Sequence, residues 1–276
     1  MENINNILDE AAGRERANMA PEVYAKCLSC IDLTSLNSTD TIAKITSMTN
    51  KVNSFKTTFP AYPQVAAICV YPNFASTVRE NLKDKDVQIA VVGGVFPSSQ
   101  SFLEVKVAEC KMAVEQGANE VDVVLALNHF LAGQNELAAR EISEIKKAIG
   151  AAHLKVILES GSINEPGQIY KASMLAMEAG AHFIKTSTGK TEPAATPEAA
   201  VVMCIAILDY FNKTGRKVGF KPAGGISTPE DVVKYFSIVQ TILGDQWLHK
   251  KLFRIGASRL ANSLLSLLEN RDVSYF

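Results

Sequence analysis

The sequence predicts an α/β protein built as one (β/α)8 TIM barrel over residues 1–276, with an extra helix at about residues 1–20. Three observations predict it. Eight short apolar runs end in polar or glycine-rich punctuation. Each is followed by a segment with helical periodicity. The repeats recur at about 30 residues, which is the usual spacing of this barrel. The doubly wound open sheet uses the same strand-helix alphabet, but no G-x-G-x-x-G follows the first run.

The runs cover residues 26–33, 65–70, 87–92, 120–127, 154–159, 182–186, 217–221 and 252–255. They are short, β-branched and not strictly alternating, as parallel strands covered on both faces should be. Helix starts are marked by residues 38–40, by residues 98–101 and by Thr228-Pro229-Glu230. Gly117 and Gly180 stand where two helices should end in a left-handed cap. Residues 2–18 predict a helix that closes the bottom of the barrel, and residues 269–276 read as a mobile tail.

Apolar residues make up 47% of the chain. At this length roughly three quarters of the unfolded surface can be buried, so no staple is needed. Lysine plus arginine (28) nearly balance aspartate plus glutamate (29), which excludes the broad basic field that gathers nucleic acid or anionic lipid. The longest apolar stretches, such as residues 201–208, fall far short of the roughly 20 residues that span a bilayer. The start is polar and acidic, unlike a signal peptide, so a cytoplasmic protein is expected. Five cysteines argue against a secreted disulfide framework. Cys27 and Cys30 form a C-x-x-C inside what reads as a strand, which points to core packing rather than redox work.

In such a barrel chemistry collects at the carboxyl ends of the strands. Four ends carry a charge there: Asp32, Asp122, Lys185 and Lys221. Two lysines on neighbouring strands would approach to roughly 6 Å, where repulsion at an effective dielectric near 20 is on the order of 3 kcal/mol, about two pKa units. Desolvation pushes the same way. One amine could therefore be neutral near pH 7 and attack an aldehyde or ketone, the protonated imine then drawing electrons from the breaking bond. Residue types alone leave open which lysine does this, and whether each merely pairs with a carboxylate. Asp122 and Lys221, bridged by water, could move the protons.

Glycines mark an anion cradle. Gly224 and Gly225 follow the seventh run, and Gly256-Ala257-Ser258 follow the eighth, where backbone amides and a helix N-terminus favour phosphate. Gly189 and Lys190 add an amide and a cation. His129, His153, His182 and His249 have no metal-ligand spacing, and no G-x-S-x-G nucleophile elbow occurs. Cys69 reads as wall of the mouth.

IDLTSLN (31–37), AAICVYP (66–72), EVDVV (120–124), FIKTSTGK (183–190), VGFKPAGGI (218–226) and FRIGAS (253–258) resemble the 2-deoxyribose-5-phosphate aldolases, a class I, Schiff-base family. The resemblance runs from about residue 22 to the end of the last helix, and the two lysine motifs are its most specific parts. It implies reversible cleavage of 2-deoxy-D-ribose 5-phosphate to D-glyceraldehyde 3-phosphate and acetaldehyde, in deoxynucleoside breakdown, without cofactor or metal. It also implies Lys185 as the imine-forming residue and Asp122 with Lys221 as the proton relay. Asp32 and Lys190 match family positions near the substrate hydroxyl and phosphate, and Gly224, Gly225 and Ser258 its phosphate loops; at the ends of the same runs Thr34, Cys69 and Thr186 are expected beside the substrate, and Gly189, Gly256 and Arg259 beside the phosphate. Arg259 stands where some relatives have a second serine, and Tyr275 near the position of a closing tyrosine that reaches the site in some relatives. The implied partner is a small phosphorylated sugar, with no nucleic acid or membrane; a homodimer is one assembly the sequence leaves open, and the sequence does not fix the oligomeric state. The loops VVGGVFPSSQ and LNHFLAG, after the third and fourth runs, depart from the common pattern at the pocket rim. Two other readings fit the same residues: a lysine-dependent aldolase for a longer phosphosugar, and a barrel that binds phosphosugars without turnover.

Overall fold

A computed structural model describes residues 4–276. The strands are β1 (Ile31–Thr34), β2 (Ala67–Val70), β3 (Gln88–Gly93), β4 (Glu120–Val124), β5 (His153–Ile157), β6 (Phe183–Lys185), β7 (Gly219–Lys221) and β8 (Ile255–Ala257). The helices are α1 (Ile4–Asn18), α2 (Pro21–Ser29), α3 (Ile42–Thr58), α4 (Ala75–Asn81), α5 (Leu103–Glu115), α6 (Leu127–Leu131) and α7 (Asn135–Ala148). They continue as α8 (Ser160–Ile163), α9 (Pro166–Glu178), α10 (Pro197–Thr214), α11 (Pro229–Leu243) and α12 (Leu260–Glu269). All strand pairs are parallel, in the order β7-β6-β5-β4-β3-β2-β1-β8. The bridges Phe220 to Phe253 and Ala223 to Gly256 join the last pair and close the ring. Helices cover its outside, as the expected barrel requires.

Most elements follow from local chemistry. Thr228 caps α11 by accepting from the Asp231 amide, and Asp231 accepts from the Thr228 amide, a full capping box. Thr196 and Thr41 cap α10 and α3 by the first of these bonds alone, accepting from the Ala199 and Lys44 amides. Gly117 and Gly180 take φ of 114° and 111° directly after their helices.

Several boundaries differ from expectation. The apolar run 26–33 is half helix: Pro21 opens α2, and Val23, Cys27 and Leu28 bury one helical face. Cys27 therefore lies in the last turn of a helix and Cys30 at its cap, both fully buried, with burial pushing both thiols up. β4 stops at Val124, and Leu127 already begins α6. β8 starts at Ile255 rather than 252, so Gly256 is inside the strand. The N-terminal helix begins among the described residues at Ile4, and the positions before it lie outside them. It packs on α10 and α11, where Asn18 donates to Ser237 and Gln240, so it lies along the outer helices instead of across the bottom.

Candidate active site

Strand pleat decides what enters the barrel, because alternate side chains point inward. Pairing brings Asp122 beside Lys155, and Lys185 beside Lys221. Inside the ring these residues form one ionic layer with Asp32, Glu120 and Arg254. Every member is buried.

Asp122 is its centre. Oδ2 accepts from Lys221 Nζ at 2.7 Å and from Lys185 Nζ at 3.1 Å, while Oδ1 accepts from Lys155 Nζ at 3.0 Å. Lys221 also donates to Asp32 Oδ2 at 2.5 Å, and Lys155 to Glu120 Oε2 at 2.6 Å. Arg254 spans the base of the layer, donating to Asp32 Oδ1 at 2.6 Å and to both Glu120 oxygens at 2.7 and 3.0 Å. Burying such charges is tolerable only because each is paired.

The lysines are not equivalent. Burial alone would lower the Lys221 pKa, but Asp122 and Asp32 overcome it and raise the value, so Lys221 stays an ammonium. Lys185 has only its share of Asp122. Burial and the neighbouring Lys221 charge outweigh that share, and its pKa is lowered. Asp122 is held well below the carboxylate range, because Lys155, Lys221 and Lys185 together overcome the burial that would raise it. The amine pair anticipated from sequence thus exists, and the carboxylate between the two decides which member gives up its proton.

Lys185 alone of the layer opens into a cavity of about 380 Å³ at the carboxyl ends of the strands. Thr34, Gly189, Lys190, Gly224, Gly225, Gly256, Ser258 and Arg259 line the same hollow. Gly224 takes φ +85°, and a Cβ there would stand 2.6 Å from that of Ala194, so only glycine lets this loop close on its neighbour. The N-terminus of α12 borders the cavity with no side-chain cap. Lys190 lies across the rim and donates to the Leu36 carbonyl at 2.5 Å.

Other expected residues sit elsewhere. Thr186 is fully buried and does not line the cavity; its hydroxyl donates to the Ala223 carbonyl and accepts from the Ala223 amide, splinting the loops after β6 and β7. Asp32 lies beneath the cavity, held by Lys221 and Arg254. Cys69 is a buried wall residue, its thiol pushed up by burial. Tyr275 is not in the cavity: its hydroxyl donates to the Lys51 carbonyl, its ring stands edge-on to Phe59, and Phe276 stacks on Phe55. The closing residues are thus laid against α3, drawn there by aromatic surface.

Sequence reasoning missed Glu120, Lys155 and Arg254, which lie below the strand ends. Period-two spacing was the available signal: Glu120 shares the inward face of Asp122, and Lys155 interrupts an otherwise apolar LKVIL. Among the described residues no cluster of histidine, cysteine and carboxylate side chains is arranged to hold a metal, and no helix is long and apolar enough to cross a membrane.

A buried amine with a lowered pKa, opening into a glycine-lined and cationic hollow, defines a class: barrel aldolases, enzymes that make or break a carbon-carbon bond next to a carbonyl. The chain belongs to the DeoC/LacD family of aldolases, whose model matches residues 26–258. It is 42% identical over 250 residues to a deoxyribose-phosphate aldolase of Bos taurus, covering 85% of this chain and 77% of that one. The Homo sapiens deoxyribose-phosphate aldolase is 41% identical over 254 residues, covering 87% and 78%. The tetrameric deoxyribose phosphate aldolase of Aeropyrum pernix superposes with a TM-score of 0.70 at 25% identity, over 95% of this chain and 97% of that one.

Proposed function

We propose that this aldolase reversibly cleaves 2-deoxy-D-ribose 5-phosphate to D-glyceraldehyde 3-phosphate and acetaldehyde, through an imine on Lys185. One observation carries the reading: Lys185 is the only amine of the buried layer that opens into the cavity, and the one whose pKa is lowered. The names of the vertebrate relatives support the substrate.

The neutral amine attacks the aldehyde carbon of the open-chain sugar, and loss of water gives a protonated imine. A base then takes the proton from the hydroxyl next to the breaking bond. Electrons of that bond flow into the imine, glyceraldehyde phosphate departs, and the resulting enamine is protonated on carbon. Water releases acetaldehyde and restores the amine. Asp122 and Lys221 stand beside Lys185 to share the proton through a water molecule. The glycine loops, Ser258, Arg259 and Lys190 hold the phosphate, whose binding energy fixes the reacting carbon over the amine.

Borohydride added with acetaldehyde attaches an ethyl group to the imine-forming lysine, and peptide mass spectrometry should find it on Lys185. Turnover of deoxyribose 5-phosphate should accompany it. Label on another lysine, or none, rejects the assignment; turnover of a dihydroxyacetone phosphate adduct in preference would move the substrate to a longer phosphosugar.

We also propose that the chain works as a homodimer in the cytoplasm. Support comes from α5, which buries Lys106 against Glu141 while Phe102 (78% exposed), Val105 (48%) and Met112 (61%) face outward, an apolar stripe suited to a partner. Five free buried cysteines fit a reducing compartment. Light scattering on the eluted protein should give twice the chain mass, and cell fractionation should recover activity with the cytosol.

A further inference from the structure

Seven ionisable side chains share the interior of the barrel, and their charges do not cancel. Lys155, Lys185, Lys221 and Arg254 are cations, whereas Asp32, Glu120 and Asp122 are the only carboxylates they contact among the described residues. Full protonation leaves one positive charge in surplus. Removing a proton from one amine makes the layer neutral, and a buried layer is most stable when neutral.

Which amine yields follows from the contacts. Arg254 cannot deprotonate, and it holds Glu120 through two nitrogens. Lys155 touches all three carboxylates, at 2.6 Å to Glu120, 3.0 Å to Asp122 and 3.4 Å to Asp32. Lys221 touches two and Lys185 one. The choice of Lys185 therefore depends on how thoroughly Asp122 is occupied from its other side, and Lys155 is what occupies it.

We propose that Lys155 is a positioning residue for the imine-forming amine: it pins one oxygen of Asp122 and supplies the cation that leaves Lys185 as the surplus one. Lys155 has no access to the cavity and touches no substrate. It acts through Asp122, whose Oδ1 it fixes so that Oδ2 is turned toward Lys185 and Lys221. Cys69 on β2 also bears on Lys185; Asp32 on β1 reaches it only through Lys221, and Lys190 and Arg259 line the same cavity. His153 touches the far end of the layer, 3.9 Å from Glu120. This inference rests on Lys185 being the imine lysine.

Charge bookkeeping predicts shifts of opposite sign from two residues remote from the substrate. In Lys155→Met, three cations face three carboxylates, Lys185 becomes a required counter-ion, and its proton is released at higher pH. In Glu120→Gln the surplus grows, and Lys185 loses its proton at lower pH. The double variant Glu120→Gln/Lys155→Met restores a surplus of one. Lys155→Arg keeps the charge and should keep the profile.

The test is the pH dependence of ethyl labelling at Lys185 by acetaldehyde and cyanoborohydride, read by peptide mass spectrometry on the full chain. The midpoint should rise by on the order of one pH unit in Lys155→Met, fall in Glu120→Gln, and return to the wild-type value in the double variant. A purely structural role would lower the plateau without moving the midpoint. Midpoints that stay fixed, or move in the same direction in the two single variants, overturn the proposal. If Lys155→Met does not fold, Glu120→Gln and the double variant decide by the same criterion. Label outside Lys185 in the unaltered protein defeats the assignment of the imine lysine first, which separates the two failures.

Discussion

The interior of this barrel has two unlike halves. From β4 round through β8 to β1 the inward positions carry Glu120, Asp122, Lys155, Lys185, Lys221, Arg254 and Asp32, all buried. On β2 and β3 the same positions carry Ala67, Cys69, Ala90 and Val92, which form a separate apolar cluster with Leu36 and pack against Tyr71 and Phe96. Strands pair in parallel in both. The second half is apolar, so it offers no hydrogen bond or counter-charge to an ammonium on the first. Burial is the largest influence lowering the Lys185 pKa, and this wall is part of what buries it. Reactivity at one wall thus depends on inertness at the wall facing it.

The largest effect should come from Asp122→Leu, which removes the carboxylate that three lysines share. Turnover should fall by on the order of 10³-fold or more, as expected for losing a proton-transfer group together with the anchor of its neighbours. A variant retaining a tenth of the wild-type kcat would show that the charged half does not work as a unit. Arg254→Met comes next: Glu120 and Asp32 each lose a buried partner, so unfolding in urea should show a loss of about 3–5 kcal/mol. Ala90→Leu tests the other wall. If that half is filled rather than an unused pocket, the added carbons should cost about 1–3 kcal/mol. An unchanged or raised midpoint in the same titration would mean that the apolar side has room to spare.

The smallest effect is one of pH. His182 accepts from the Leu154 amide through Nδ1, and burial lowers its pKa to about 4. The unfolded chain takes up this proton below about 6.5. Stability should therefore decline as pH falls from 6.5 toward 4, and His182→Asn should flatten that slope in thermal melts. Asp32, Glu120 and Asp122 act in a separate window. Their pKa values are lowered, so their contribution is complete above the ordinary carboxylate range and is lost only at more acidic pH.

The apolar strand runs were legible because parallel strands covered on both sides must be short and β-branched. Strand-end charges were legible too, which is why Asp32, Asp122, Lys185 and Lys221 could be picked out from one sequence. Lys155 and Arg254 were not, because a lone charge inside an apolar run looks like an exception until its partners arrive from other strands. The run before β1 misled for a different reason: Val23, Cys27 and Leu28 satisfy helical and strand spacing about equally over so few residues. The placement of Tyr275 depends on Phe55 and Phe59, more than 200 residues away along the chain, and no local pattern records that.

Gly256 limits how this pocket can be redesigned. A methyl group there would stand 2.8 Å from the Ala223 Cβ and 3.3 Å from the Lys221 Cε. Even alanine would press on the stem of a lysine that must stay aligned with Asp122. Libraries meant to broaden the range of acceptor aldehydes should therefore leave this position untouched and diversify the exposed Ser258 and Arg259, exchanging grip on the phosphate for acceptors without one while sparing the amines below.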